Sequence, residues 1–372
     1  MKNKIHNYDF LIIGAGLIGS LTALELLRKN FKVLIVEKSK TLAKDKRTLA
    51  VNANSRNFLD NLGLWKKIKN KIDIKNIVIT DTLNPQMLEF TSPDEAMGAV
   101  IYNAEILNVA RKELLQKKVF TASANVKIDD LKTLDIISIN KKKYKFKKII
   151  FALGKNINSD TRIIKREYNQ GHKAYVGFFD HIKSHENFAY EFFSNRGPLA
   201  VLPAPSINKK KSTFIYSSND QISSSELKKL IIKNFSKSHG SINFENQFYT
   251  FPILPHLSIT KDLDIILIGD SLRSIHPVAG QGWNLGVKDI NTLSELTDLY
   301  SLEDSDFVKN YYARRKLDSI LYLGFTSVLN NLYENQNPAK QSLIKLGFQT
   351  LRAIPWLKNQ FIRQAMGKIS LI

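Results

Sequence analysis

Near its N-terminus the chain reads Asp9-Phe10-Leu11-Ile12-Ile13-Gly14-Ala15-Gly16-Leu17-Ile18-Gly19, an apolar strand running straight into glycines. A helical stretch begins near Leu17, and a second apolar strand, Phe31 to Val36, delivers an acid, Glu37, at its tip. Strand, glycine turn, helix, strand and acid in this order constrain the chain to a βαβ unit that grips a dinucleotide. Gly14 permits the tight turn, Gly16 lets the backbone approach a pyrophosphate, and Gly19 lets helix and strand pack closely. The helix directs unsatisfied N–H groups and the positive end of its dipole at the phosphates. Glu37 stands where a carboxylate takes both ribose hydroxyls of an adenosine.

The chain has 372 residues, enough for two or three domains, and its 43% hydrophobic and 24% charged residues describe a globular protein. It contains no cysteine, which removes disulfides, thiol catalysis and cysteine-zinc sites. No apolar run reaches the about 18 residues of a membrane span. Met1 to Asp9 is too short and polar for a signal peptide, so a cytoplasmic location is expected. The net charge of +21 comes from lysines scattered along the chain, with no zinc-finger spacing or recognition helix, and nucleic acid is not expected as a partner.

After Lys38 the chain carries Arg47-Thr48-Leu49-Ala50 and a helix-like stretch, Ser55 to Leu62, stopped by Gly63. Short β-like runs lie between Ile77 and Phe90, an amphipathic helix over Ala104 to Gln116, and a strand toward Ala152, followed by Leu153-Gly154. From Tyr168 to Pro255 alternating, aromatic-rich strands with turns at Asn195-Arg196-Gly197 and Ser206-Ile207-Asn208 point to a mostly antiparallel sheet. Half of Phe178, Phe179, Tyr190, Phe192 and Phe193 belong to plain core, by strand alternation. His181 and His185, four apart, have metal-ligand spacing for a helix, but their context reads as a strand end and a turn, so no metal is expected.

Parallel-sheet character returns with Ile265-Ile266-Leu267-Ile268-Gly269-Asp270, which brings a carboxylate to a strand's carboxyl end. There it can accept from a polyol chain. The loop is kept thin by Gly280 and Gly282, and a helix starting near Asn284 faces an electron-accepting ring. The first motif suits nicotinamide or flavin alike; this second one favours flavin.

The run Gly269-Asp270…His276-Pro277-Val278-Ala279-Gly280-Gln281-Gly282-Trp283-Asn284-Leu285-Gly286 resembles the flavin motif of single-component aromatic hydroxylases. Within them it is most similar to the ubiquinone-biosynthesis hydroxylase family. Arg47-Thr48-Leu49-Ala50, Leu62-Gly63-Leu64-Trp65, Gly197 to Pro203, and Tyr311, Arg314-Arg315, Asp318 and Ala365-Met366-Gly367 agree in order. The resemblance implies an α/β fold: a Rossmann-type FAD-binding domain (1–75, 101–165 and 258–300), an inserted, mostly antiparallel β-sheet substrate domain (76–100 and 166–257), and a helical C-terminal tail (301–372). It implies that Gly14, Gly16 and Gly19, with Leu17 and Ile18, hold the pyrophosphate of FAD, Glu37 and Lys38 the adenosine end, and Arg47 the flavin diphosphate. Asp270 would take the ribityl chain, and Pro277, Gly280, Gln281, Gly282, Asn284 and Leu285 would run along the isoalloxazine. The implied reaction inserts one oxygen atom into a phenolic ring bearing a polyprenyl tail, through O2 added at flavin C4a as a hydroperoxide. No catalytic side chain is signalled.

Two departures accompany the resemblance. The family's Asp-Gly pair after the third parallel strand is Leu153-Gly154 here, which leaves NAD(P)H open as the electron donor. Arg273 stands where His or Gln is common. His276 either fixes the loop by hydrogen bonding or polarises the oxygen intermediate. From Asn335 to Ile372 there is no acid, and Lys340, Lys345, Arg352, Lys358, Arg363 and Lys368 alternate with apolar residues and Trp356. This reads either as a face for anionic lipid at the inner side of a membrane or as a helix pair packed on the flavin domain with a solvated basic face. Other quinone-biosynthesis proteins are implied partners. Two rival readings stay open: a non-catalytic, membrane-associated accessory subunit, and a flavin dehydrogenase or epoxidase of the same fold.

Overall fold

A computed structural model describes residues 5–39, 47–81, 87–92, 95–122, 126, 136–157, 162–168, 171–245, 247–276, 281–333, 337–354, 356, 359–360, 362–363 and 366–367. The first elements are β1 (Ile5–Ile13), α1 (Leu17–Arg28), β2 (Val33–Glu37), β3 (Thr48–Asn52), α2 (Ala53–Asn61), β4 (Lys71–Ile74), β5 (Asn76–Asp81), β6 (Leu88–Thr91), β7 (Gly98–Tyr102) and α3 (Asn103–Gln116). There follow β8 (Phe120–Ala122), β9 (Ile137–Ile139), β10 (Lys142–Phe151), β11 (Ile163–Glu167), β12 (Lys173–His181), β13 (Phe188–Phe193), β14 (Leu199–Pro203) and β15 (Lys211–Ser218). Last come α4 (Ser224–His239), β16 (Ile242–Phe244), β17 (Tyr249–Pro252), β18 (His256–Thr260), β19 (Ile265–Leu267), β20 (Arg273–Ser274), α5 (Gln281–Leu299), α6 (Ser305–Tyr333) and α7 (Pro338–Ala353).

Strands β19-β10-β1-β2-β8 pair in parallel, in that order. Their runs are apolar on both faces because both faces are covered. Phe10 and Ile12 of β1 pack with Leu21 and Leu24 of α1, Ile106 and Leu114 of α3, and Ile290 and Leu293 of α5. Leu11 and Ile13 point the other way, onto Ile149, Phe151, Ile265 and Leu267. Residues far apart in sequence thereby bring the carboxyl ends of β1, β10 and β19 to one edge.

The second large sheet runs β16-β12-β15-β14-β13-β5-β6, with β17 also on β12. It is antiparallel except where β13 lies parallel to β5. Helix α4 covers one face, where Leu227, Ile231 and Phe235 meet Phe179, Leu199, Val201 and Phe214. Its start is fixed by a capping box between Ser223 and Glu226. Phe179, Tyr190 and Phe192 belong to this core, whereas Phe193 packs with α6 and α7 on the opposite side. Two small sheets link the large ones: β3-β7-β4 and β11-β18-β20. Gly98 to Val100, expected with the substrate sheet, lie in β7 and pair with β3 and β4.

Helix α2 begins at Ala53, ahead of the expected Ser55, because the Asn52 side chain accepts from the Ser55 N–H at 2.9 Å and so acts as N-cap. Gly63, at φ +68°, turns the chain after the helix. Helix α5 begins at Gln281 rather than near Asn284. The tail differs from the packed reading in what it packs on: Ile344 and Phe348 of α7 meet Leu88 and Phe90 of β6 and Tyr333 of α6, so it rests on the antiparallel sheet, not on the flavin side. Among the described residues no helix is long and apolar enough to cross a membrane.

Candidate cofactor site

The glycine turn closes over the end of β10. Gly14 has φ +103°, and a Cβ there would lie 2.5 Å from the Ala152 carbonyl oxygen. A Cβ on Gly19 would lie 2.0 Å from the Gly14 carbonyl oxygen, so only glycine lets α1 sit this close to the turn. Gly16 differs: a Cβ would meet nothing within 4 Å, and the backbone there borders open space.

The Ala15 peptide groups are tied on both sides. The Ala15 N–H donates to Glu37 Oε2 at 2.8 Å. The Ala15 carbonyl accepts from Arg111 Nη2 at 2.7 Å, Arg111 Nε at 3.0 Å and Ser20 Oγ at 3.2 Å. In a planar trans peptide the C=O and the following N–H point in opposite directions. Anchoring the Ala15 oxygen inward therefore turns the Gly16 N–H outward, toward the open space beside Gly16. Arg111, on α3, was not among the residues expected here; it also lies 3.7 Å from Glu37 and over the Phe120 ring.

The second loop meets the first at Ile18. A Cβ on Gly286 would lie 2.6 Å from Ile18 Cδ1, and one on Gly269 3.2 Å from the same side chain. Ile18 thus wedges the start of α1 against both the Asp270 turn and α5. The Gly269 N–H donates to Asp289 Oδ2 at 3.0 Å, which fixes the turn at φ +60°. Asp270 is half-buried, its carbonyl accepts from His256 Nε2 at 2.9 Å, and its carboxylate has no hydrogen-bond partner among the described residues. Lys155 lies near it in a cationic group with Arg47 and Lys165; burial lowers the Lys155 pKa and Asp270 partly restores it.

Asn284 binds protein on both sides of its amide. Its Oδ1 accepts from the Asn52 N–H at 3.1 Å and its Nδ2 donates to the Ala50 carbonyl at 3.0 Å. It ties the first turn of α5 to β3. Leu285 is buried with Ile275 and Leu323, a position that supports the loop from behind. Gln281 is half-buried, and a Cβ on Gly282 would meet nothing within 4 Å. Leu17 is half-buried and Lys38 exposed. Arg47 is exposed, with its guanidinium 5.4 Å from the Phe251 ring centroid. Pro277 and Gly280, expected along the ring, lie outside the described residues.

Arg273 has a structural account. It is buried, and its Nη2 donates to Asp289 Oδ1 at 2.8 Å and to the Leu285 carbonyl at 3.2 Å. Asp289 also accepts from Arg315 Nε at 2.7 Å, Arg315 pairs with Asp318, and Asp318 pairs with Lys288 at 2.7 Å. This chain of alternating charges joins the Asp270 turn, α5 and α6. His276 is buried with its Nε2 3.2 Å from His172 Nδ1, while its Nδ1 has no partner among the described residues. Burial, with His172 beside it, lowers its pKa to about 3, so the ring is neutral. His181 sits at the end of β12, its Nδ1 on the Lys183 carbonyl and its Nε2 on Ser212 Oγ. Both of its nitrogens are thus engaged, and His185 Nδ1 accepts from the Asn187 N–H. Among the described residues no group of three or more His, Asp or Glu could hold a metal ion.

The residues fit FAD. Open backbone at Gly16, an outward N–H, an acid at the tip of β2 and a carboxylate at Asp270 with no partner among the described residues match phosphate, ribose and polyol.

Comparison with known proteins agrees. The FAD binding domain family model matches residues 7–144, and the squalene epoxidase model matches residues 239–353. The chain is 25% identical to ubiquinone hydroxylase UbiL of Rhodospirillum rubrum, over 98% of this chain and 90% of that protein. It is 24% identical to the ubiquinone biosynthesis monooxygenase COQ6 of Dictyostelium discoideum, over 98% and 92%. In fold it is similar to p-nitrophenol 4-monooxygenase PnpA of Pseudomonas putida, with a TM-score of 0.74 and 14% identity over 97% of this chain and 99% of that one. It is also similar to PqsL of Pseudomonas aeruginosa, with a TM-score of 0.71 and 16% identity over 89% and 97%. The chain is an FAD-dependent monooxygenase, similar along nearly its whole length to the ubiquinone-biosynthesis hydroxylases.

Proposed function

We propose that the chain hydroxylates the aromatic ring of a polyprenylated ubiquinone precursor, held between the Asp270 turn with the start of α5 and the side of the large antiparallel sheet opposite α4. The meeting of the two nucleotide motifs at Ile18 supports this reading most, because it brings the glycine turn and the Asp270 turn together around one cofactor. When bound and reduced, FAD supplies the activated oxygen taken from O2. The chain's own residues bind and orient. The Gly16 N–H and the α1 dipole take the pyrophosphate, Glu37 the adenosine ribose and Asp270 the ribityl hydroxyls. The first-turn N–H groups of α5 stabilise negative charge at the pyrimidine edge of the ring, and the Asn284 tether to β3 keeps them aimed. Phe178, Ala189 and Leu202 supply apolar surface that excludes water from the reacting ring.

The domain division assigned from sequence is part of this reading, with β3-β7-β4 and β11-β18-β20 as the joints. So is docking on an anionic membrane, since a polyprenylated ring resides in one. The accessory-subunit reading rests on Leu153, which packs in an apolar cluster where the family carries an acid. One experiment separates the two without any assumption about the natural reductant. Protein loaded with FAD is reduced chemically, freed of excess reductant, and mixed with O2 and a prenylated phenol. The expected product is heavier by one oxygen atom. Flavin that reoxidises with hydrogen peroxide as its sole product would sink the catalytic reading and leave the accessory one.

A further inference from the structure

Strand β13 alternates between two environments. Tyr190 and Phe192 face α4 and pack with Leu199, Val201 and Phe235. Side chains along a strand point to opposite faces in turn, so Ala189, Glu191 and Phe193 face away from α4. Ala189 there joins Ala50, Ile74, Val100 and Leu202. Phe193 joins Leu88, Tyr333, Phe348 and Met366. The first cluster touches the flavin loop, since the Ala50 carbonyl holds the Asn284 amide. The second is closed by the C-terminal helices. Glu191 stands between them, flanked in register by Ile79 on β5 and Ala200 on β14.

Glu191 is 9% exposed, and its side chain makes no hydrogen bond or ion pair with any described residue. Asp81, the register partner of Phe193 on the same face, is engaged by Tyr333 Oη at 3.2 Å. Burial alone pushes the Glu191 carboxyl up to about 8, so at neutral pH it is mostly the uncharged acid. An unpartnered buried carboxyl is a large penalty for a fold to carry, and such a group calls for an explanation outside the fold itself. The uncharged carboxyl offers an O–H donor beside a C=O acceptor. A phenolic hydroxyl is likewise a donor and an acceptor, on an otherwise apolar ring. Among the described residues of β5 and β14, the other carboxyl on this face is Asp81, which Tyr333 holds.

We propose that Glu191 is a substrate-binding residue, which hydrogen-bonds the phenolic hydroxyl of the aromatic substrate and so sets which ring position faces the flavin loop. This rests on the reading of the chain as a phenol hydroxylase. The test compares two probes on FAD-loaded protein, a prenylated phenol and its methyl ether, with binding read from the flavin absorbance. The wild-type chain should prefer the phenol by about tenfold, the worth of one buried hydrogen bond. Glu191→Leu should lose that preference, keep its flavin and melt at the same or a higher temperature. Glu191→Gln, which keeps a donor and an acceptor, should retain most of the preference. A Leu variant that still prefers the phenol tenfold overturns the assignment. So does one that melts lower or does not fold, because the carboxyl would then serve the fold. If the wild-type chain binds neither probe, the hydroxylase reading falls and this inference falls with it.

Discussion

At the scale of single residues, three glycines of one motif do different things, and the difference can be measured. Gly16 has φ −63° and ψ −176°, a conformation alanine adopts freely, and its Cβ would enter open space. Gly16→Ala should therefore leave the apoprotein's melting temperature unchanged and weaken FAD binding by roughly 10- to 100-fold, because the methyl occupies the phosphate's approach. Gly19→Ala drives a Cβ into the Gly14 carbonyl and should destabilise the fold by about 1–3 kcal/mol or more. Thermal melts and FAD titration of the two variants check this; a Gly16→Ala protein with wild-type affinity would contradict the placement of the phosphate. These glycines and Glu37 were legible in the sequence because each is demanded by a local turn or a strand tip. Arg111 was not. An arginine on an amphipathic helix carries no local mark, and its bond to Ala15 exists only once α3 packs beside α1. Glu191 was hidden for the same reason, since a glutamate alternating with aromatics reads as a solvent-facing position until another layer covers that face.

At the scale of elements, strands and helices followed from apolar periodicity, while the joints between them did not. The buried chain Arg273–Asp289–Arg315–Asp318 connects the Asp270 turn with α5 and α6, and its members lie as much as 45 positions apart in the sequence. Arg273 looked anomalous because its partner could not be read from the linear order. Asp289 is fully buried and accepts from two guanidiniums and the Gly269 N–H. Asp289→Asn leaves those buried cations short of one negative charge, so we expect a loss of about 3–5 kcal/mol in urea unfolding. The exposed pair Arg314–Glu295, on the same two helices, gives the control: Arg314→Ala should change stability by about 1 kcal/mol or less. Equal losses in the two variants would show that the buried network is not what joins α5 to α6.

At the scale of the whole molecule, the C-terminal helices present two different faces, and that is why the sequence supports two readings of them. Ile344 and Phe348 point inward to the antiparallel sheet, as a packing helix requires. On the other side of α7, Leu343 and Leu346 are 58% and 59% exposed, and Trp356 beyond it is 67% exposed. Lys345 and Arg352 are set among them, and the segment has no acid to oppose an anionic surface. A stripe of exposed leucines with an amphipathic tryptophan and flanking cations suits the headgroup boundary of an anionic bilayer. A net charge of +21 adds long-range attraction that salt weakens. The protein should therefore co-sediment with phosphatidylglycerol vesicles at low ionic strength, bind less in high salt, and bind poorly to phosphatidylcholine. A Leu346→Ser, Trp356→Ser double variant should lose about tenfold or more in vesicle affinity, the worth of two apolar side chains withheld from lipid. It should turn over a short-chain, water-soluble phenol at the wild-type rate, because neither residue packs with the described residues of the cofactor loop. Equal binding to charged and neutral vesicles, or a double variant that loses both lipid binding and soluble turnover, would assign this surface to the fold and not to the membrane.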